Sequence, residues 1–392
     1  MSSTILRGWR VLALVSLICL VAPVMAQNVE FTPLGVECGP AFFPRFCVVD
    51  MSGDGNTILF RDQIWTADDG MQPISGPAAG WEVRALSDDG STVVGNIRVI
   101  DSPLGPHNEA AIWLGGDQWK PLGGLPEGAP CGSGLTTAYD VSGDGTKVVG
   151  LAWLGCKGAH GFEWTEETGM VDLGSIVSNR SSRANGISAD ASMIVGWSDT
   201  SFGSRRGAYW EDGAGPVWYE PDGSPIFVGE AQAASSDGTF VVGGAWSDNS
   251  GPTNPASRTS EPWIWSADTG VVPLGTAKGL RGDVADGQHF ARDVSDDGQS
   301  VIGQTTLFQL GEQWAFYWTA SGGMSMLQNF VRDHTDPATA AMICDAERGP
   351  YMPPCSNWDF WNTAAISNDG KVIVGTGRNP DGNLEAFKIT LP

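Results

Sequence analysis

The chain is poor in basic residues and lacks the short motifs by which many active sites are recognised. It has 22 lysines and arginines against 45 aspartates and glutamates, a net charge of −23 at pH 7. Such a surface repels nucleic acids and anionic lipids, so neither is expected as a partner. Gly-x-Ser-x-Gly, His-Glu-x-x-His, Gly-x-x-x-x-Gly-Lys-Ser/Thr and Cys-x-x-Cys are all missing. The sequence therefore predicts no catalytic residue, no metal and no cofactor.

Long apolar runs are missing too, apart from one at the N-terminus. Arg7 and Arg10 precede the mostly apolar run Val11–Ala22, and small residues up to Ala26 fit a cleavage site. A membrane anchor is the alternative, but it needs about 20 apolar residues. We therefore expect residues 1–26 to be a secretory signal peptide, with no membrane span after it. The protein would then be secreted, to the periplasm or outside the cell.

One phrase recurs along the rest of the chain. It consists of a short apolar strand, a Ser-x-Asp-Gly turn and a Val/Ile-rich strand that usually ends in glycine. Seven copies are present: Val48–Phe60, Val83–Gly95, Ala138–Gly150, Ala184–Gly196, Ala231–Gly243, Ala291–Gly303 and Thr363–Gly375. Repeats of this length built from short strands are typical of a radial or stacked fold. Residues 27–392 are therefore expected to form a single domain.

The third copy shows the expected plan of one unit. Strand a is AYDVS (138–142), strand b begins at TKVVG, strand c is HGFEW (160–164) and strand d is MVDLGSI (170–176). Asp144 and Gly145 are expected to supply the positive φ of the a–b hairpin. Four antiparallel strands make one propeller blade, so the sequence predicts an all-β, seven-bladed β-propeller. Six or eight blades remain alternatives if the short first copy is not a true blade.

The two ends of the repeat array predict how the ring closes. The seventh copy has no strand d, whereas VEFTPLG (29–35) reads as a strand d with no blade before it. We expect this N-terminal strand to complete the seventh blade and so to leave no open edge. The recurring tryptophan of strand c is expected to pack between blades rather than to stack on sugars, because one such ring buries about 150–250 Å².

Six cysteines follow the expected signal peptide, an even number that favours disulfides in an exported protein. Sequence alone allows 15 pairings. The blade plan places all six on the face that carries the b–c and d–a connections, which we call the loop face. Neighbouring positions on that face select the pairs Cys38–Cys47, Cys131–Cys156 and Cys344–Cys355.

Taken together, the repeated phrases resemble the HAF-repeat family of bacterial extracellular proteins. That family is named after a His-Ala-Phe phrase in strand c, which is altered here to His160-Gly161-Phe162, Trp314-Ala315-Phe316 and Glu385-Ala386-Phe387. The turn also resembles the Ser-Pro-Asp-Gly turn of TolB-like propellers, which like WD40 proteins are built of four-stranded blades. The resemblance implies a secreted bacterial β-propeller. It implies no activity and no catalytic residue.

Two regions are candidate binding sites. The first is the loop face around the insertion Gln328–Asn362 and the connection Gly244–Glu261, where His334, Tyr351 and Trp358 combine aromatic rings with a polar group. The second is the central channel. The position three before each repeat serine belongs to the innermost strand, and in copies two to six it holds Arg84, Tyr139, Asn185, Gln232 and Arg292. Loops that simply pack their own side chains and a channel filled with water are the plainer interpretations.

These features favour a monomeric, non-enzymatic binding module that recognises an extracellular glycan or protein through its loop face. The alternative is a hydrolase or lyase that acts on extracellular polysaccharide. That alternative stays open because propeller active sites can draw paired carboxylates from separate blades.

Overall fold

The computed structural model describes residues 28–40, 46–211, 215–219, 228–244, 262–275, 287–307, 312–345 and 356–392. Within these ranges the strands form seven four-stranded sheets, and all their pairings are antiparallel. Each sheet is one blade, with strand a at the central axis and strand d outermost. The predicted seven-bladed β-propeller is confirmed, and the short first repeat is a complete blade.

The first four blades follow one another along the chain. Blade 1 contains β2 (Val48–Met51), β3 (Thr57–Phe60), β4 (Gln63–Thr66) and β5 (Gly70–Pro73). Blade 2 contains β6 (Trp81–Leu86), β7 (Val93–Val99), β8 (His107–Gly115) and β9 (Gln118–Pro121). Blade 3 contains β10 (Thr136–Val141), β11 (Lys147–Trp153), β12 (Ala159–Thr165) and β13 (Gly169–Gly174). Blade 4 contains β14 (Ser182–Ile187), β15 (Met193–Asp199), β16 (Arg205–Glu211) and β17 (Val217–Trp218).

The remaining three blades complete the ring. Blade 5 contains β18 (Ala231–Ala234), β19 (Val241–Gly244), β20 (Pro262–Ser266) and β21 (Gly270–Pro273). Blade 6 contains β22 (Gly287–Val294), β23 (Ser300–Leu307), β24 (Glu312–Thr319) and β25 (Gly323–Met326). Blade 7 contains β26 (Asp359–Ile366), β27 (Val372–Arg378), β28 (Asn383–Thr390) and, as its outer strand, β1 (Glu30–Pro40).

Ring closure by the N-terminal strand is thus confirmed. β1 pairs antiparallel with β28, and Phe31 lies opposite Ile389. The ring of Phe31 contacts Phe360 and Phe387 at centroid distances of 5.1 and 6.3 Å. The disulfide Cys38–Cys47 fastens the same junction, and the predicted pair Cys131–Cys156 is also present. Cys344 is disulfide-bonded, while its predicted partner, Cys355, lies outside the described residues.

The Ser-x-Asp-Gly turn is held by its own side chains. In the third copy Ser142 Oγ donates to Asp144 Oδ1 at 2.8 Å and accepts from Lys147 N–H at 2.9 Å. The serine–aspartate bond recurs in every other copy. Only the fourth residue takes a positive φ, 71° at Gly145 and 61° at Ala191. The expectation that Asp144 also has a positive φ is wrong, because its carboxylate caps the turn instead.

The glycine that recurs in strand b of most repeats leaves room for the backbone of strand a. A Cβ on Gly150 would lie 2.0 Å from the Thr137 carbonyl oxygen, and one on Gly196 would lie 2.0 Å from that of Arg183. Strand a must approach strand b this closely because it carries a β-bulge, described below. The recurring glycine is therefore a packing requirement of the blade rather than a ligand-binding signature.

Between blades the core is formed by strand b and c side chains. Phe162 and Trp164 of blade 3 pack in one buried cluster with Val94 of blade 2. This arrangement supports the interpretation of the strand c tryptophans as inter-blade packing residues.

The insertion before blade 7, expected as a loop, begins with two helices. α1 (Leu327–His334) buries Leu327, Gln328 and Val331, and α2 (Pro337–Ala341) follows it. In the described part of the chain, neither helix has the length and apolar character needed to cross a membrane.

Candidate functional site

The innermost strand of every blade points one extra side chain into the central channel. In blade 3 the β10–β11 register shifts between Ala138 and Asp140, which leaves Tyr139 as the bulged residue. The same shift occurs in strand a of all the other blades. A bulge re-aims a side chain, and here it places seven residues on the channel wall. They are Val49, Arg84, Tyr139, Asn185, Gln232, Arg292 and Ala364. The five channel residues expected from the sequence are all among them.

Two cavities lie along the channel. The first, which we call the vestibule, has a volume of about 550 Å³ and is lined by loop-face residues that include Phe46, Arg61, Asp62 and Trp81. The second, which we call the inner chamber, has a volume of about 390 Å³ and reaches the Ser-x-Asp-Gly turns at the opposite face. The two share a lining of four residues, which are Val49, Arg84, Arg292 and Ala364.

These four shared residues come from four consecutive blades. Arg292 belongs to blade 6, Ala364 to blade 7, Val49 to blade 1 and Arg84 to blade 2. The small side chains of Ala364 and Val49 thus lie between the arginines at the same level of the channel. We call this arrangement the arginine slot. It is the passage between the vestibule and the inner chamber.

Most of the charged groups around the slot are paired. Glu82 accepts from Arg84 Nη2 at 2.7 Å and from Asn96 Nδ2 at 2.9 Å. The buried Glu230 carboxylate binds two arginines, Arg183 and Arg205, with one oxygen each at 2.7 Å. This cluster carries two guanidiniums against one carboxylate.

Arg292 is different. Within the described part of the chain, no hydrogen bond and no ion pair holds its guanidinium. Burial lowers the pKa of Arg292, and the negative charge of Glu230 only partly offsets this effect. The folded protein therefore maintains a cation in a position that disfavours charge.

Three aspartates beside the inner chamber join neighbouring blades. Asp50 Oδ2 accepts from Leu86 N–H of the next blade at 2.8 Å. Asp140 and Asp293 make equivalent bonds to Ile187 and Ile366, both at 2.9 Å. Burial raises the pKa of Asp50 to about 7 and that of Asp293 to about 8, and it raises the pKa of Asp140 well above its usual range.

Sequence reasoning missed these aspartates. The available signal was an Asp two positions before the repeat serine in copies one, three and six, where the other copies have Ala or Gly. Since each carboxylate is engaged by backbone N–H groups, the aspartates are primarily structural.

Polar groups narrow the inner chamber at its turn end. Asn368 Nδ2 of blade 7 donates to Asp88 Oδ2 of blade 2 at 2.8 Å, across blade 1. Gly53 of blade 1 permits this contact, because a Cβ there would lie 2.5 Å from Asn368 Nδ2. Backbone bonds from Gly53 N–H to Asp88 O and from Asn368 N–H to Gly53 O tie the three turns together. The channel is thus more open towards the loop face.

The structure does not group the predicted loop-face residues into one site. His334 is exposed at the end of α1, where its ring stacks on Phe330 with centroids 4.4 Å apart. Trp358 is only 3% exposed and packs edge-on against Phe31, so it fills the core instead of offering a stacking surface. Tyr351 and most of the Gly244–Glu261 connection lie outside the described residues. Binding at His334 and Tyr351 stays a prediction.

Comparison with known proteins adds no assignment. No protein-family model and no curated protein matches the chain. Among solved structures, TolB from Acinetobacter baumannii is 12% identical with a TM-score of 0.42, over 87% of this chain and 77% of that one. The β-propeller domain of the Trilobed protease from Pyrococcus furiosus is 12% identical with a TM-score of 0.47, over 88% and 93%. These values identify neither a ligand nor an activity.

Proposed function

We propose that this protein is an extracytoplasmic binding module that takes a polar ligand from the loop face into its vestibule. The observation that carries the proposal is the vestibule itself, a cavity of about 550 Å³ lined by two aromatic residues, Phe46 and Trp81, and by the charged residues Arg61, Asp62 and Arg84. Cavities of roughly 300–1,000 Å³ with a few convergent polar groups are typical of ligand sites.

The vestibule suits binding better than hydrolysis. In the described part of the chain its only carboxylates are Asp62 and Glu82, and Glu82 is engaged by Arg84 and Asn96. Deeper in the channel Asp50, Asp140 and Asp293 are engaged by the backbone of neighbouring blades. A glycosidase needs one carboxyl group free to move a proton and a second free to attack or to activate water. We therefore favour a non-enzymatic module over the polysaccharide hydrolase or lyase.

The proposed location, oligomeric state and ligand class rest mainly on the sequence. The expected signal peptide and the two observed disulfides, Cys38–Cys47 and Cys131–Cys156, are compatible with export. Residues 27–392 would act as one monomeric domain of the HAF-repeat type in a bacterial periplasm or outside the cell. The ligand would be an extracellular glycan or a segment of an extracellular protein. It would extend towards His334 and Tyr351 if it projects beyond the vestibule.

The proposal can be tested by filling the cavity. The mature protein would be screened on a glycan array and in pull-downs from culture supernatant. Any ligand found would then be titrated against Ala364→Trp, which places an indole at the floor of the vestibule. Ala67→Trp, on an exposed turn at the opposite face, is the matched control.

We expect Ala364→Trp to lose binding while Ala67→Trp keeps it. Val49→Phe fills the same floor with a smaller ring and serves if Ala364→Trp does not fold, with circular dichroism to confirm a native spectrum. Undiminished binding by either folded plugged variant would contradict the proposed site.

A further inference from the structure

We propose that the arginine slot recognises an acidic group, a carboxylate or a phosphate, on the ligand, and that Arg84 and Arg292 hold it from opposite sides. This inference rests on the proposed function, because it names the chemistry that the vestibule and channel select. Guanidinium groups are suited to both anions, since their planar N–H donors match the oxygens of carboxylates and phosphates.

The shape of the slot supports this inference. Arg84 and Arg292 line both cavities, and between them stand only Val49 and Ala364. Since the other bulged positions of the ring hold the larger Tyr139, Asn185 and Gln232, the free space lies on the side of the two small residues. An acidic group that entered from the vestibule would therefore pass between the two arginine-bearing strands, β6 and β22.

The charge balance points the same way. Glu230 is bound by both Arg183 and Arg205, and Glu82 is bound by Arg84. Arg292 adds a further cation without a carboxylate of its own, so the positive charges of this group exceed the negative ones by two. The whole chain, by contrast, has a net charge of −23. A cationic centre in such a protein is a local arrangement and not the consequence of a basic surface.

The aspartates of the inner chamber do not cancel this charge. Four aspartates line the inner chamber, which are Asp50, Asp88, Asp140 and Asp293. Burial raises the pKa of each, to about 7 for Asp50 and about 8 for Asp293, and this favours their uncharged form. The wall of the inner chamber therefore repels an incoming anion less than its number of aspartates suggests.

Arg292 also lacks a structural explanation. Arg292 is half-buried in the channel wall, and a partly desolvated cation without a hydrogen-bonded partner lowers the stability of the folded state. Groups that cost stability in this way are found where a ligand later supplies the missing partner. Gln232, at the same level of the channel, offers an amide donor for a remaining oxygen of a bound acid.

The test uses three small probes at constant ionic strength: sodium galacturonate for the carboxylate, glucose 6-phosphate for the phosphate, and glucose as the neutral control. Isothermal titration calorimetry of the mature protein should show saturable binding of at least one acidic probe and much weaker binding of glucose. The acidic probe that binds shows whether the slot recognises a carboxylate or a phosphate. Absence of binding by both acidic probes up to about 10 mM, weaker than the millimolar range of a single good contact, would overturn the inference.

Three variants locate the binding. Arg292→Gln and Arg84→Gln should each weaken binding of the acidic probe about tenfold or more, which is the loss of one charge-assisted contact. Lys157→Gln makes the same charge change at an exposed position of the loop face outside both cavities, and should change binding less than about threefold, as expected of a screened, exposed charge. Equal effects of all three variants would mean general electrostatic attraction and would overturn the assignment to the slot.

The outcome also separates this inference from the proposed function. A neutral ligand could be found whose binding is lost in Ala364→Trp but is normal in Arg292→Gln. That result would support the proposed binding module and refute recognition of an acid. Loss of an acidic probe in Arg292→Gln with full binding by a folded Ala364→Trp would refute the vestibule as the route, and with it the proposed function.

Discussion

Cys38, in the outer strand of blade 7, is disulfide-bonded to Cys47, which directly precedes the first strand of blade 1. The bond spans the closure point of the ring, and Cys47 N–H also donates to Thr376 Oγ1 of blade 7 at 2.9 Å. The first and last blades are therefore joined covalently as well as by strand pairing.

Replacing both Cys38 and Cys47 by serine should lower the free energy of unfolding by about 2–3 kcal/mol, the value expected for a loop of this length. Because β1 still pairs with β28, the β-sheet spectrum should not change. Urea denaturation followed by circular dichroism measures the difference. A variant that loses its β-sheet signal in buffer would show that strand pairing alone does not close the ring.

Deletion of residues 29–35 should have a more severe effect. It removes most of β1 and the ring of Phe31 from the core of blade 7, and it exposes the edge of β28. Unpaired apolar edges associate with one another, so the variant should aggregate. Size-exclusion chromatography and thermal melting check this. A soluble monomer that melts like the parent would contradict closure by this strand.

Ala191 is the one non-glycine residue at the fourth position of a repeat turn, with φ of 61°. A left-handed conformation costs an L-residue about 1–2 kcal/mol, so Ala191→Gly should raise the free energy of unfolding by about 1 kcal/mol. The reverse change in another copy, Gly370→Ala, should lower it. If Ala191→Gly does not stabilise the protein, or if Gly370→Ala does, the strain assigned to this turn is refuted.

The half-buried aspartates Asp50, Asp140 and Asp293 should make the folded protein less stable as the pH rises. Their folded-state pKa values lie above the usual value, at about 7 for Asp50 and about 8 for Asp293. At these aspartates the folded state therefore binds more protons than the unfolded state between pH 4 and 8, and the stabilisation they give at acidic pH is lost through this window. Chemical denaturation at pH 5 and pH 8.5 should show the decrease.

Asp293→Asn should make that decrease smaller, even if the variant is less stable at both pH values, because it removes one titrating group. Asp69→Asn, on an exposed turn, should leave the decrease unchanged. An unchanged pH dependence in Asp293→Asn would mean that its carboxyl group titrates normally in the folded protein.

The loop-face prediction has its own test. His334→Ala and Tyr351→Ala should reduce binding of any large ligand that reaches beyond the vestibule. The melting temperature of His334→Ala should change little, because His334 is exposed. Normal binding by both variants, with loss in Arg84→Gln, would restrict the site to the channel.

The blade architecture could be predicted from the sequence because its determinants are local. The bond from Ser142 to Asp144 spans two residues, and it recurs in the other six copies. Closure by β1 was also predictable, since a strand without a blade and a blade without its outer strand are both visible in the sequence. Disulfide pairing followed from the positions of Cys38 and Cys47 on one face.

The channel could be predicted only in part. The offset from the repeat serine identified Arg84 and Arg292, but the importance of the small Val49 and Ala364 emerged only when four blades were seen side by side. The pairing of Glu230 with Arg183 and Arg205 depends on contacts between blades 4 and 5. Helix α1 was missed because it has only eight residues and no capping side chain. Helix α2 has a capping aspartate, Asp336, but only five residues.

The most direct test of binding in the arginine slot is the thermal stability of Arg292→Gln with and without an acidic probe. Without a probe the variant should melt roughly 1–2 °C above the parent protein, because it no longer holds an unpaired cation in a half-buried position. Saturating galacturonate or glucose 6-phosphate should raise the melting temperature of the parent, since a ligand bound to the folded state stabilises it, and should raise that of the variant much less because the variant binds about tenfold more weakly. A variant that melts below the parent and still gains the full increase with the probe would show that Arg292 is a structural residue and that the slot does not bind the acid.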